Sequence, residues 1–113
     1  MSPITTHVLD TTRGKPAVGV AIKLARRGVD GAYVDLGSGV TDADGRLRSL
    51  LAEGSLVAGV YRITFDTGAY FDALGTPAFY PEASVVFAVA RVDEHYHVPL
   101  LLNAFGYSTY RGT

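Results

Sequence analysis

Apolar residues in this chain come in short runs of alternating parity, and Gly, Asp, Asn or Pro interrupts them too often for helices of ordinary length. In "VGVAIKLARR" the residues Val18, Val20, Ile22 and Leu24 share one parity. In "VYRITFDTG" the residues Tyr61, Ile63 and Phe65 alternate with Val60, Arg62 and Thr64. Successive side chains of a strand point to opposite faces, so each run offers one apolar face, which two packed sheets can bury against each other. The pattern predicts strands near 4–9, 17–24, 31–36, 39–41, 59–66, 84–91, 95–102 and 107–111. The expected fold is therefore an all-β, eight-stranded β-sandwich. Its one short helix is expected in "TGAYFDALG", with Thr67 as the cap and Gly75 as a left-handed terminator. "TDADGR" reads as an Asp-Gly turn, and "GTPAFYPEAS" as a proline-broken loop.

A chain of 113 residues, 48% apolar, is expected to form one domain over 1–113 that buries roughly 65% of its unfolded surface without metal or disulfide staples. Ten Lys and Arg against eleven Asp and Glu leave a net charge of −1 with no basic block, which argues against nucleic acid as a partner. No apolar run reaches membrane-spanning length, and "MSPITTHVLDTTRGK" lacks the pattern of a signal peptide. The closing Arg-Gly-Thr does not match the Ser-Lys-Leu peroxisomal address, so a cytoplasmic location is expected. The absence of cysteine excludes disulfide frameworks, thiol catalysis and cysteine-based zinc sites. No G-x-S-x-G elbow, P-loop or dinucleotide fingerprint is present.

The histidines carry the chemical interest. In "HYHVPLLL" one strand face holds His95, His97, Pro99 and Leu101, and the other holds Tyr96, Val98, Leu100 and Leu102. The second set reads as core. The first is an outer face, yet it carries Pro99 and Leu101 where charged or hydroxyl side chains would be expected, which points to another subunit or a ligand. Pro99 cannot donate to a ladder, so pairing should be interrupted there. In "ITTHVLD" His7 shares a face with Leu9 and would lie beside His97 if the two strands were neighbours. Three readings stay open for His7, His95 and His97: exposed surface residues, a zinc-like set of three imidazoles, or a catalytic cluster. "DADG" matches the start of a calcium loop but lacks the later ligands, and Ser108 has no orienting acid, so both read as structural. Strand-forming residues continue through Tyr107–Arg111, as though this segment folds back on 95–102 through "NAFG".

"THVLDTTRGKPA", "TDADGR", "YFDALG", "EHYHVPLLL" and the ending "YSTYRGT" together resemble the transthyretin-related 5-hydroxyisourate hydrolases, over essentially the whole chain. The ending is the most specific part, since these enzymes close with Tyr-Arg-Gly-Ser and the hormone-carrier branch does not. The resemblance implies a transthyretin-like sandwich, assembled as a homotetramer with active sites at the dimer–dimer interface. It implies catalytic roles for His7, Arg46 and His97 and substrate binding by Tyr110, Arg111, Gly112 and Thr113, with His95 supporting. Thr113 departs from the usual serine, keeping the hydroxyl and adding a methyl group. The small-molecule substrate implied is 5-hydroxyisourate, opened at a ring amide with no metal or organic cofactor.

Such a reaction needs a base near pH 7 and a donor for the developing oxyanion. An imidazole with an ordinary pKa of about 6.5 meets the first need. An arginine would hold the substrate oxygens in a fork and disfavour a second positive charge nearby. His97 is the expected base, with His7 positioning water or substrate. The alternatives are a non-catalytic transthyretin-like carrier, whose channel should be rich in apolar, Lys and Glu contacts, and a generic sandwich domain, for which the middle of the chain alone would pass.

Overall fold

The computed structural model of the chain describes residues 2–113. Its strands are β1 (Ile4–Asp10), β2 (Lys15–Pro16), β3 (Ala21–Arg27), β4 (Tyr33–Val40), β5 (Arg46–Leu47), β6 (Gly59–Phe65), β7 (Ala83–Val89), β8 (Tyr96–Asn103) and β9 (Gly106–Thr109), with helix α1 (Thr67–Ala73) between β6 and β7. One sheet has the order β2-β1-β8-β9, with β5 also on β1, and the other has the order β4-β3-β6-β7. The inward faces meet in a core that includes Ile4, Val8, Ile22, Leu24, Tyr61, Ile63, Phe65, Val98, Leu100 and Leu102. Each is nearly or fully removed from water, and a buried side chain of this size contributes roughly 1.5–3 kcal/mol.

The alternation in "VYRITFDTG" and "HYHVPLLL" holds in space. Tyr61, Ile63 and Phe65 are buried in β6, and Tyr96, Val98, Leu100 and Leu102 in β8. Three expectations need correction. The runs 31–36 and 39–41 form one strand, β4, with an irregularity opposite Leu24 and Ala25. Its glycines serve close packing instead of a turn: a Cβ on Gly37 would strike the Leu50 carbonyl, and one on Gly39 would lie 2.7 Å from Leu47 Cδ1. Val18 lies outside β3 and is exposed, because the chain turns at Gly19 (φ +81°) before the strand begins. The cap of α1 is Asp66, whose side chain accepts from the Ala69 N–H, while Thr67 is buried inside the first turn. Gly75, at φ +68°, ends the helix as the sequence predicts. Among the described residues the merger into β4 and the addition of β2 and β5, two residues each and paired with β1, bring the strand count from eight to nine.

Two features place the site. β1 and β8, from opposite ends of the chain, pair in parallel with Thr5 opposite His97 and His7 opposite Pro99. The "DADG" turn is pinned to β1: the Val8 N–H donates to the Gly45 carbonyl (2.7 Å), and the Asp42 carboxylate accepts from the N–H groups of Asp44 (2.9 Å) and Arg46 (3.0 Å). These bonds hold the Asp42 carboxyl below its usual range, the Arg46 N–H foremost. Gly45 has φ +74°, and a Cβ there would strike the Val8 carbonyl, so this turn reaches β1 only with glycine. No helix among the described residues is long and apolar enough to cross a membrane.

Candidate active site

Strand pairing brings distant residues into two adjacent rows on the outer face of the β2-β1-β8-β9 sheet. In the first row Arg46 on β5 lies opposite His7 on β1, which lies opposite Pro99 on β8. In the second, Thr5 lies opposite His97, which bridges to Gly112 in the closing segment. A cavity of about 220 Å³ opens over this face, lined by Thr5, Thr6, Arg46, Arg48, His95, His97 and Thr113. None of these side chains is a hydrocarbon.

Each ring is held. The His7 Nε2 lies 2.8 Å from the Asp44 carbonyl oxygen, and since a carbonyl only accepts, Nε2 carries a proton. The Thr5 hydroxyl lies 2.8 Å from His97 Nδ1 and 2.9 Å from His95 Nε2. Burial lowers the pKa of His97 below the ordinary imidazole value, and the positive charge of Arg46 and the neighbouring His7 and His95 push it the same way, with the Thr5 backbone opposing. The guanidinium of Arg46 forms no salt bridge among the described residues, which leaves its donors free for a ligand. The three histidines do not form a metal-binding group, and no such group of His, Cys, Asp or Glu occurs among the described residues.

The closing segment divides in two. Beyond β9 the ladder skips the pairs at Val98 and Pro99 and resumes where the Gly112 N–H donates to the His97 carbonyl (2.8 Å), an interruption that Pro99 predicts. Thr113 thereby lines the histidine cavity, and Gly112 lies against the His97 ring. Tyr110 and Arg111 line a separate groove against β7 with Phe87, Tyr96 and Val98. Arg111 binds Glu94 (3.0 Å) and stacks over the Tyr96 ring (4.5 Å), so its side chain ties the segment down and does not enter the cavity. Ser108 pairs with Leu101 and lies outside the cavity. A Cβ on Gly112 would come 2.6 Å from His97 Cδ2 and 3.3 Å from Pro99 Cγ. Gly112→Ala is therefore expected to displace the His97 ring and lower turnover about 10- to 100-fold with little change in thermal midpoint. Equal turnover of the two proteins would remove Gly112 from the site.

Sequence reasoning missed Thr5, Thr6 and Arg48. Thr5 has the same parity as His7 and so was visible on the right face, but its position between two histidines depends on the register of β1 against β8.

The family model described as HIUase/Transthyretin matches residues 4–112, nearly all of the chain. The chain belongs to this family. A 5-hydroxyisourate hydrolase of Caulobacter vibrioides is 47% identical, with all of both chains covered. One from Mus musculus is 41% identical, covering 99% of this chain and 96% of that one. Sea bream transthyretin, solved in complex with thyroxine, is 38% identical and superposes with a TM-score of 0.93, covering 98% of this chain and 95% of its own. The two-sheet architecture is thus the transthyretin-like fold, and the family includes both proteins named as hydrolases and a protein solved with a bound hormone.

Proposed function

We propose that this chain is an enzyme that hydrolyses 5-hydroxyisourate at a ring amide to give 2-oxo-4-hydroxy-4-carboxy-5-ureidoimidazoline, a step of urate degradation in purine metabolism. The observation that carries the reading is the meeting of His97, kept neutral by burial and by Arg46, with an unpaired guanidinium in one polar cavity. The identity to named hydrolases over the full chain supports the same substrate. The carrier alternative is disfavoured by the lining, since an apolar ligand would meet Arg46, Arg48, His95, His97 and three threonines.

His97 takes a proton from water, and the resulting hydroxide attacks the ring carbonyl. Arg46 donates to the oxyanion as it forms. Collapse of the tetrahedral intermediate breaks the C–N bond, and the imidazolium of His97 returns its proton to the departing nitrogen. His7, fixed by its bond to Asp44, positions the water or substrate. Gly112 and Thr113 close one side of the substrate cavity, and Tyr110 and Arg111 anchor that segment. The scheme uses no metal or organic cofactor.

The active unit is a homotetramer of this domain with sites between dimers, and its location is the cytoplasm. The half-buried Leu9 and Leu101 on the cavity's sheet face leave apolar surface that a second copy would cover. The test is direct: 5-hydroxyisourate generated with urate oxidase is followed by its ultraviolet signal with and without the protein. Loss faster than the spontaneous rate is expected, and an unchanged rate rejects the function.

A further inference from the structure

We infer that the Thr5 hydroxyl is a positioning and proton-relay group that joins His97 to His95, so that two imidazoles act together as the base. This rests on the hydrolase reading above. Thr5 is 6% exposed, and its single hydroxyl proton lies between two ring nitrogens, at 2.8 Å from His97 Nδ1 and 2.9 Å from His95 Nε2. A hydroxyl has one proton to donate, so while both bonds stand it donates to one ring and accepts from the other. The two neutral histidines are thereby locked into complementary tautomers.

Only one of the two arrangements leaves His97 ready as a base at Nε2. In it His97 Nδ1–H donates to Thr5 Oγ1, and the Thr5 O–H donates to His95 Nε2. When His97 Nε2 takes a proton from water, the Nδ1 proton passes to Thr5 and the Thr5 proton passes to His95 Nε2. His97 is then neutral, protonated at Nε2, and His95 is the imidazolium. The reverse transfer restores the charge to His97 when the departing nitrogen needs its proton. No atom or electron is gained or lost.

The surroundings favour the outward movement of charge. His97 is half-buried and faces His7 from β1 and Arg46 from β5, both of which oppose a charge on it. Arg48 and Thr113 complete the cavity wall. His95 is exposed to water, and beside it Glu94 is paired with Arg111, whose guanidinium also reaches the His95 carbonyl (3.4 Å). A charge on exposed His95 is better solvated than one on half-buried His97.

The experiment compares Thr5→Val, which keeps the shape and removes the hydroxyl, with Thr5→Ser, which keeps the hydroxyl. Nitrogen-15 NMR of the free protein above the histidine midpoints should show His97 protonated at Nδ1 in the natural protein and in Thr5→Ser, and at Nε2 in Thr5→Val. With substrate, Thr5→Val should lower kcat about tenfold or more with KM changed less than about twofold, Thr5→Ser should recover most of the loss, and adding His95→Gln to Thr5→Val should cost nothing further. The same His97 tautomer in Thr5→Val as in the natural protein overturns the inference, as do losses that multiply in the double variant. The NMR comparison needs no substrate, so it decides the hydroxyl bridge even if the chain proves inactive on 5-hydroxyisourate.

Discussion

Replacing His97 by Asn is expected to lower kcat for 5-hydroxyisourate by about 10²- to 10⁴-fold, the range over which a positioned general base acts. Asparagine can still bond the Thr5 hydroxyl and fits beneath Gly112, so the sheet and the closing segment should survive. What it lacks is a nitrogen that accepts a proton near neutral pH. The measurement is turnover corrected for spontaneous decay, with sedimentation to show that assembly is unchanged. A variant that retains natural turnover would take His97 out of the base role and leave His7 and His95 as the remaining imidazoles near Arg46.

Arg46→Ala is expected to lower kcat/KM by about 10²- to 10³-fold through loss of the oxyanion donor, and it carries a second signature in pH. The folded protein holds the His97 pKa below 6.5, through burial first and Arg46 second. A base must be unprotonated, so activity should persist below pH 6.5 and fall only as the lowered pKa is crossed. Removing the guanidinium removes one cause of the lowering and leaves burial in place. The acid limb of the kcat/KM profile should therefore move upward, toward 6.5, in Arg46→Ala. A smaller kcat/KM with an unmoved limb would leave Arg46 as a substrate clamp alone. A downward movement would contradict the electrostatic account.

Much of the sandwich was legible because burial on one face imposes period two, which β6 shows from Val60 onward and β8 shows everywhere except at Pro99, buried on the outer face beneath Gly112. The boundaries that failed did so where backbone proximity replaces side-chain patterning. Gly37 and Gly39 look like a break in sequence, but they are the places where the chain passes against Leu50 and Leu47, a tertiary constraint that no local window contains. Asp66 outcompeted Thr67 as the helix cap because Thr67 is drawn into the core. At the site, parity put His7 and His97 on outer faces, and the placement of Arg46 followed from family resemblance. The pairing of Thr5 with His97 was beyond reach because parity does not say which residue of β1 stands opposite His97. That needs the register, which only the paired strands reveal. The resemblance implies substrate binding by Tyr110 and Arg111 together with Gly112 and Thr113, whereas both side chains line the groove against β7, with Arg111 held by Glu94 and Tyr96.

Thr5 and His97 touch across 92 positions of chain, and the strands that bring them together run side by side in the same direction. Closing a loop of that length has an entropic cost of about 4 kcal/mol before any constant is added, and it must be met before the contact returns anything. The pocket therefore exists only once β1 and β8 have paired across that separation. Catalytic competence is consequently a readout of that long-range pairing, and fragments lacking β1 or β8 should be inert instead of partly active.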